Sequence, residues 1–366
     1  MQITDVRYLA LQYPLTTPLK LAWGWMTHRN FALVLIETDA GLTGIGETSV
    51  NFPQWSIKER KITIEEGLRP LLIGENPLEI ERLWQKLYDA LSRLGLLWGK
   101  GAIMSAIGGI DIALWDLAGK AYGLPLYALL GGRVAERIPL YATGFDLKTP
   151  QRYVDQGYRA LKMRVGFDVK QDLMNVEAVR KAIGDDIALL VDVNMGWSRQ
   201  QALALAPHYE AFDLYWLEEP VRSDDLDGYR LLKARTSIPL AAGENAFDRA
   251  DSQTLLETGA LSYLMPDPTR AGGLSEVKRI CSLSWNYSIP YSPHHYGSDV
   301  GFAAALHLMA STPNGDYLLR DVTEVPLRED ILKTPIRIED GFACLSDAPG
   351  LGIELNPQAV EAYQIA

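Results

Sequence analysis

The chain has few cysteines, no excess of basic side chains and no long uninterrupted apolar run. Its two cysteines, Cys281 and Cys344, are too few for a disulfide framework or a cysteine-based zinc site, and we expect buried thiols in a reducing compartment. Thirty-five Lys and Arg against 46 Asp and Glu leave a formal charge of -11, which disfavours nucleic acid and anionic membranes as partners. Because no signal-peptide pattern and no uninterrupted run of about 18 apolar residues is found, we expect a cytoplasmic protein.

The 366 residues contain 48% apolar and 22% charged side chains, which is typical of a folded protein with a large core. Residues 1–60 alternate short apolar runs with turn residues, and Asp39-Ala40-Gly41 separates two strand-like stretches as in a hairpin. Residues 58–132 change to helical periodicity, as in PLEIERLWQKLYDALSRL. The pattern predicts a small α+β domain over residues 1–130.

From about residue 137, short apolar runs alternate with amphipathic helical stretches at roughly regular intervals. The eight strand candidates are RIPLYATG from 137, ALKMRVG from 160, ALLVDVN from 188, LYWLEEP from 214, PLAAGEN from 239, YLMPDP from 263, IPYSPHH from 289 and YLLRDV from 317. Successive βα units with right-handed crossovers close into a barrel, which we predict over 131–322. An open doubly wound sheet is the alternative, but no Gly-x-Gly-x-x-Gly turn follows any of these strands. The tail, 323–366, is predicted to return to the N-terminal domain.

Polar residues end six consecutive strands of this predicted barrel, where active residues project. Three of them are the carboxylates Asp192, Glu218 and Glu244, which are spaced 26 residues apart on adjacent strands. Converging carboxylates repel one another unless a cation lies among them, and oxygen ligands select Mg²⁺ before Mn²⁺. The alternative is that individual acids cap helices or pair with Lys or Arg. Asn194 and Glu219 lie close enough to orient the three ligands.

A general base is predicted at the end of the seventh strand. Asp267 ends the preceding strand, so its carboxylate can orient the imidazole of His294 and leave the other ring nitrogen free. His295 is expected to point the other way if the strand alternation persists, and the sequence leaves open which of the two faces the site.

Lys162 and Arg164 lie two residues apart on the second barrel strand, so both are expected to point into the same end of the barrel. Two cations beside a metal site suit a substrate carboxylate. The alternative is that one of them neutralises Glu218 or Asp192.

These motifs resemble those of the enolase superfamily, specifically the mandelate racemase group. The matching passages are ALVLIETDAGLTGIGET, AIGGIDIALWDLAGKAYGLPLYALLGG, LKMRVG, VDVN, WLEEP, AGEN, PDPTRAGG and SPHH. The resemblance implies a modified TIM barrel, (β/α)7β, with an α+β capping domain built from both chain ends. It also implies removal of the proton alpha to a carboxylate to give an enediolate that Mg²⁺ stabilises, with Asp192, Glu218 and Glu244 as ligands, the His294–Asp267 pair as base and Lys162 on the substrate carboxylate.

Two positions depart from the racemase pattern. Arg164 stands where the racemases have a second lysine, and a guanidinium stays protonated, so it binds a carboxylate or hydroxyl better than it accepts a proton. Leu319 stands where they carry a glutamate, with Arg320 and Asp321 beside it, so that acid is missing or is supplied by another residue such as Glu324.

A single histidine that abstracts the alpha proton and then protonates a departing beta-hydroxyl favours a sugar-acid dehydratase, a lyase. The alternatives are a racemase, epimerase or cycloisomerase of a related hydroxy acid or lactone, and a non-catalytic metal-binding protein on the same scaffold. Substrate contacts are predicted for the capping-loop residues Trp23, Trp25 and His28, for Arg270 and for His295, with Trp98 and Lys100 as weaker candidates. The family resemblance implies a homo-oligomer that acts on a small carboxylate.

Overall fold

The computed structural model describes residues 1–21 and 24–365, and side chains are described outside Leu21 and residues 92–98. It begins with a three-stranded antiparallel sheet whose spatial order is β1-β2-β3. Its strands are β1 (Ile3–Leu21), β2 (Gly24–Thr38) and β3 (Thr43–Thr48). The predicted hairpin at Asp39-Ala40-Gly41 is confirmed, because these residues join β2 to β3 and Gly41 has the positive φ of 74° that a tight turn requires.

A long helix covers one face of this sheet. The helical elements are α1 (Ser56–Ile62), a π-helical segment (Thr63–Leu68), α2 (Arg69–Leu72), α3 (Ile80–Tyr122) and α4 (Leu126–Leu129). The backbone of α3 leaves helical geometry at Gly99. The Gly99–Tyr122 part is long and apolar enough to cross a membrane, but 78% of its most apolar window is buried within the protein. This part is therefore accounted for as a core helix of the folded domain.

The second half of the chain is a barrel. Its strands are β4 (Arg137–Thr143), β5 (Ala160–Arg164), β6 (Ala188–Asp192), β7 (Leu214–Glu218), β8 (Leu240–Ala242), β9 (Leu261–Leu264) and β10 (Leu318–Asp321). Its helices are α5 (Gln151–Asp155), α6 (Val169–Ile183), α7 (Arg199–Tyr209), α8 (Leu226–Arg235), α9 (Arg249–Leu256), α10 (Gly273–Asn286) and α11 (Asp299–Ala310), with a 3-10 turn at Glu210–Phe212.

The strands pair in parallel in sequence order from β4 to β9. The seventh strand is reduced to Tyr291, which bridges Leu264 at the end of β9 and Gly315 shortly before β10. β10 then pairs in parallel with β4, which closes the barrel. Eight strand positions with seven intervening helices confirm the (β/α)7β architecture and exclude the open doubly wound sheet.

The tail contributes α12 (Leu327–Asp330), β11 (Ile338–Glu339), β12 (Phe342–Cys344) and α13 (Pro357–Tyr363). β12 pairs antiparallel with the first residues of β4. Gln364 bridges Leu11, and Ile365 donates a backbone hydrogen bond of 2.9 Å to the Ala10 carbonyl, so the end of the chain lies on β1. The domain bounds at residues 130 and 322 stay a prediction.

Candidate active site

The inner side chains of the barrel form a buried layer, and on several strands a polar residue lies at the next inward position. The layer contains Tyr141, Ala160, Leu190, Trp216, Ala241, Met265 and Leu319. Since side chains alternate along a strand, Lys162, Asp192 and Glu218 follow their layer residues by two and point to the same side. The strand period thus gathers charged groups at the carboxyl ends of the strands.

A cavity of about 880 Å³ lies between these strand ends and the capping domain. The barrel contributes Lys162, Arg164, Asp192, Asn194, Glu244, Arg270, His294, Tyr296 and Leu319, and the capping domain contributes Met26, Asn51, Trp55 and Arg60 among others. Glu218, Glu219 and Asp267 are buried beneath the lining, each at most 1% exposed. A cavity lined by converging polar groups at this end of a barrel is the candidate active site.

Lys162 binds two of the three predicted metal ligands. Its Nζ lies 2.6 Å from Oε1 of Glu218 and 3.2 Å from Oδ2 of Asp192, and the two acids are register neighbours on β6 and β7. Burial lowers the pKa of Lys162, but the charges of Asp192 and Glu218 outweigh burial and raise it well above its usual value. Beside these two acids, the protonated form of Lys162 is thus favoured.

The third acid, Glu244, faces Arg270 and His294. Arg270 Nη1 lies 3.5 Å from its Oε1, and His294 Nε2 lies 3.4 Å from its Oε2. Burial raises the pKa of Glu244, but the charges of His294 and Arg270 outweigh it and leave this pKa below the usual value. Arg270 also donates a 2.7 Å hydrogen bond to Asn245, whose amide donates to both oxygens of Glu219.

The donor set fits a hard divalent cation. Burial, and next the charge of Asp192, raises the pKa of Glu218, while burial and the charge of Glu244 raise that of Glu219. The acids thus repel one another, and a cation among them relieves this repulsion. As the described side chains are placed, no three His, Cys, Asp or Glu groups converge closely enough to form a metal shell, because Lys162 lies between Asp192 and Glu218. The chemistry of the donors fits Mg²⁺, and the ligand assignment stays a prediction.

Backbone strain marks the same strand ends. Asn194 (φ 49°), Met195 (φ 59°) and Glu219 (φ 37°) have left-handed backbone conformations that non-glycine residues rarely adopt. The Asn194 backbone N–H donates a 2.8 Å hydrogen bond to Oδ1 of Asp192, and this bond orients the carboxylate.

His294 and Asp267 form a hydrogen-bonded pair. His294 Nδ1 lies 2.8 Å from Oδ2 of Asp267, and the other oxygen of Asp267 accepts 2.7 Å hydrogen bonds from the backbone N–H and the hydroxyl of Thr269. The pair leaves Nε2 of His294 on the cavity side. His295 is not among the cavity-lining residues, and its Nε2 lies 2.9 Å from the Ser298 carbonyl oxygen. The geometry therefore places His294, and not His295, at the site.

The capping-loop candidates are placed differently from the prediction. Trp25 is 60% exposed, and His28 is hydrogen-bonded to Thr27; neither lines the cavity, whereas Met26 between them does. Trp23 lies outside the described residues, as does the side chain of Trp98. Lys100 pairs with Asp248 and Asp251, each at 2.7 Å.

The eighth strand presents Leu319 to the cavity, so the barrel wall is apolar at the position where the racemases carry a glutamate. Arg320 is paired with Asp299 and Glu329 instead, and Glu324 is exposed and does not line the cavity. The structure thus places neither of these residues where it can act in the cavity.

Comparisons with known proteins agree with this architecture. Residues 3–131 match the family model of the mandelate racemase/muconate lactonizing enzyme N-terminal domain, and residues 147–359 match the model described as enolase C-terminal domain-like. The chain is 35% identical to D-galactarolactone cycloisomerase of Agrobacterium fabrum, over 100% of this chain and 99% of that protein. It is 33% identical to D-xylonate dehydratase of Haloferax volcanii, over 91% of this chain and 85% of that protein.

A solved structure shares the whole fold. The crystal structure of a racemase from Streptomyces coelicolor A3(2) with bound magnesium superposes with a TM-score of 0.89 at 30% identity, covering 99% of this chain and 100% of that one. Other similar proteins are named as galactonate and arabinonate dehydratases. The chain is thus similar to both lyases and isomerases that act on sugar acids.

Proposed function

Because the chain belongs to the mandelate racemase/muconate lactonizing enzyme family of the enolase superfamily, we propose that it is a Mg²⁺-dependent sugar-acid dehydratase. The observation that carries this proposal is one cavity that joins a carboxylate cluster to the His294–Asp267 pair. The reaction removes the proton alpha to the substrate carboxylate and expels the beta-hydroxyl as water, which leaves an enol that tautomerises to a 2-keto-3-deoxy acid.

Asp192, Glu218 and Glu244 would hold the metal ion. When bound, Mg²⁺ supplies positive charge that stabilises the negative charge developing on the substrate carboxylate. Burial and the charge of Asp192 raise the pKa of Glu218, and this mutual repulsion favours a cation among the acids and supports the assignment. Asn194 and Glu219 are assigned to orienting these ligands, through the Asn194 hydrogen bond to Asp192 and the Asn245 amide on Glu219.

His294 is the proposed base. Its Nδ1 is held by Asp267, so in the neutral ring Nδ1 carries the proton and Nε2 has the lone pair that accepts the alpha proton. Thr269 in turn fixes Asp267 through two hydrogen bonds. After abstraction, the proton on Nε2 goes to the departing beta-hydroxyl, so the C–O bond breaks, water leaves and the imidazole returns to its neutral form.

Lys162 and Arg164 bind the substrate carboxylate or a neighbouring hydroxyl. Arg164 has a pKa above its usual value, since burial lowers it less than Tyr296 and Asp192 raise it. It therefore stays protonated and does not act as a base on the second substrate face. One-base chemistry is the consequence, and dehydration needs only one base.

The second candidate function is a cycloisomerase or epimerase. It is favoured by the 35% identity to a cycloisomerase over the full chain. Epimerisation requires a proton delivered to the substrate face opposite His294, and the structure assigns no described residue to this step. The homo-oligomeric state and the cytoplasmic location stay predictions.

A panel of sugar acids, which includes xylonate, galactonate, arabinonate and galactarolactone, distinguishes these functions. With Mg²⁺ present, we expect 2-keto acid to form from at least one open-chain acid. Formation of epimers, or reaction of galactarolactone with no 2-keto acid from any open-chain acid, would replace the dehydratase with the isomerase. If no acid reacts and none exchanges its alpha proton with deuterated water, both enzymatic functions fail and a non-catalytic binding protein is favoured.

A further inference from the structure

Tyr296 follows His294 by two residues and lines the same cavity. Its ring lies near two guanidinium groups: Arg29 Cζ is 3.7 Å from the ring centroid, and Arg164 Cζ is 5.0 Å from it. Both distances fall within the range at which a cation is attracted to an aromatic face. The three side chains, hereafter the Arg29–Tyr296–Arg164 cluster, connect the capping sheet to the second barrel strand.

The capping domain holds Tyr296 at two points. Arg29 on β2 is 0% exposed, its Nη1 lies 2.5 Å from Oδ2 of Asp321, and its Nη2 donates a 3.0 Å hydrogen bond to the Tyr296 carbonyl. The Asn51 amide donates a second hydrogen bond, of 2.5 Å, to the same carbonyl. Because Arg29 binds both the carbonyl and the ring, the position of Tyr296 is fixed from the capping side.

Arg164 is held much less firmly by polar contacts. The nearest carboxylate oxygen, Oδ2 of Asp192, lies 4.0 Å from its Nε, and this Nε is buried without a hydrogen-bond partner among the described residues. Arg164 is thus a cation that faces the cavity without a close counter-ion, and the ring of Tyr296 is the group that packs on it. The hydroxyl of Tyr296 has no hydrogen bond to any described residue, and the ring is the part of this side chain that contacts Arg29 and Arg164.

We propose that Arg29 and Tyr296 are positioning residues that hold the Arg164 guanidinium in the orientation in which it binds the sugar acid. This inference rests on the proposed function for the identity of the ligand. A guanidinium has five N–H donors in a fixed plane, so its orientation decides whether it makes paired hydrogen bonds to a carboxylate. The aromatic face of Tyr296 sets that plane, and the phenol hydroxyl is not required.

A double-mutant cycle tests the coupling with the sugar acid that reacts in the panel. Tyr296→Leu is expected to raise KM by about tenfold and leave kcat within about threefold, because the loss of one aromatic contact to a cation weakens substrate binding. Tyr296→Phe, which keeps the ring, is expected to retain the wild-type KM and kcat. In the Arg164→Met background, Tyr296→Leu should have no further effect on KM. Multiplicative effects in the double variant, or a loss of kcat in Tyr296→Phe, would overturn the proposal.

A second measurement needs no turnover. The ¹⁵N order parameter of the Arg164 Nε–H group, assigned from the spectrum of Arg164→Lys, reports how strongly the motion of the guanidinium is restricted on the ps–ns timescale. It is expected to fall in Tyr296→Leu and to stay at the wild-type value in Tyr296→Phe. The matched control is Tyr122→Leu, since Tyr122 is 59% exposed on α3 and does not line the cavity.

An unchanged order parameter in Tyr296→Leu would overturn the positioning role whether or not any acid reacts. Conversely, absence of turnover with every acid would reject the proposed function and leave the order parameter to decide the role of the ring. If Tyr296→Leu does not fold, Tyr296→Met replaces it in both experiments.

Discussion

Glu47 of the capping sheet binds Ser298, which lies four residues after the proposed base His294 in the barrel. Oε1 of Glu47 accepts a 2.8 Å hydrogen bond from the Ser298 backbone N–H, and Oε2 accepts from the Ser298 hydroxyl and the Gly301 N–H, each at 2.7 Å. Ser298 is the N-cap of α11, so the carboxylate satisfies donors at the start of that helix. The capping domain thereby fixes the chain four residues after His294.

Glu47→Gln is expected to lower the free energy of unfolding by about 1 to 2 kcal/mol at pH 8. The amide that replaces the carboxylate keeps one acceptor oxygen, and its NH2 group faces the hydrogen-bond donors of Ser298 and Gly301. Buried donors therefore lose their acceptor. Burial raises the pKa of Glu47 to about 7, so burying its charge costs free energy. The neutral amide avoids this cost, which limits the decrease in the free energy of unfolding. Urea unfolding at pH 8 measures the effect, with Glu361→Gln as an exposed control. If both variants are equally stable, the hydrogen bonds of Glu47 contribute nothing net.

Gly46→Ala is expected to destabilise the protein by about 3 kcal/mol, since overpacking forces backbone shifts. A Cβ at Gly46 would lie 2.1 Å from the Gly109 carbonyl oxygen of α3, a distance that requires the helix to move away from β3. The matched control is Gly67→Ala, because a Cβ at Gly67 meets no atom within 4 Å. Thermal unfolding of both variants checks the contrast. Equal melting temperatures would show that α3 is not closely packed on β3.

The barrel was predictable because its signal is local. Each predicted strand of six to eight residues that is followed by a helical stretch forms one βα unit, and the two-residue period of strands carries Lys162, Asp192 and Glu218 to one end. Seven of the eight predicted strand regions form regular strands, and the region from 289 contributes only the bridge at Tyr291. Tyr291 pairs with Leu264 on one side and with Gly315 on the other, and these two bridges keep the barrel closed at this short strand.

The orientation of His294 and His295 was not predictable, because strand alternation does not extend through residues 292–297, which have no regular secondary structure. The capping contacts were also missed. Asn51, Trp55, Arg60 and Tyr296 line the cavity, yet the residues that Tyr296 contacts from the capping side are more than 240 positions away in sequence. Such contacts depend on how two domains pack, and periodicity within one element carries no information on this. Arg60 lies within the region 58–132 that was predicted to be helical, and its charge was the only signal that the sequence offered.

Metal binding is expected to stabilise the protein and to depend on Glu244. At a free Mg²⁺ concentration of about 100 times Kd, binding to the native state adds about 2.7 kcal/mol to the free energy of unfolding. Glu244→Gln removes one anionic ligand and is expected to abolish most of this gain. Thermal unfolding with Mg²⁺ and with EDTA measures it, and Glu361→Gln serves as the control. A full Mg²⁺ effect in Glu244→Gln would exclude Glu244 as a ligand.

His307 is expected to make the protein less stable in acid. Burial lowers its pKa to about 4, and its Nδ1 already accepts a 3.2 Å hydrogen bond from the Tyr127 N–H, so the neutral ring is the form that fits the fold. The unfolded chain binds a proton near pH 6.5, whereas the folded protein does so near pH 4. The stabilisation that depends on the neutral ring is therefore fully present above about pH 6.5. It is lost as the pH falls to about 4, which lowers the free energy of unfolding by about 3 kcal/mol in total.

The measurement is the pH dependence of urea unfolding between pH 4 and pH 7 for wild type and His307→Gln. The variant is expected to have a smaller slope, since it lacks the group that binds a proton only after unfolding. His208→Gln is the matched control, because His208 is exposed and its replacement should leave the slope unchanged. Identical slopes in wild type and His307→Gln would contradict the assignment.

His294→Asn is expected to lower alpha-proton exchange by at least about a thousandfold and to leave Mg²⁺ binding intact, because the ring nitrogen that accepts the proton is removed while the three acids remain. Asp267→Asn is expected to lower it by a smaller factor of about a hundred or more, since it removes the partner that fixes the ring tautomer. His295→Asn is the control: this ring is buried behind the cavity wall and bonds to the Ser298 carbonyl, so exchange should persist. Deuterium incorporation into the substrate, read by NMR, compares the three variants. Loss of exchange in His295→Asn with retention in His294→Asn would move the base to the other histidine.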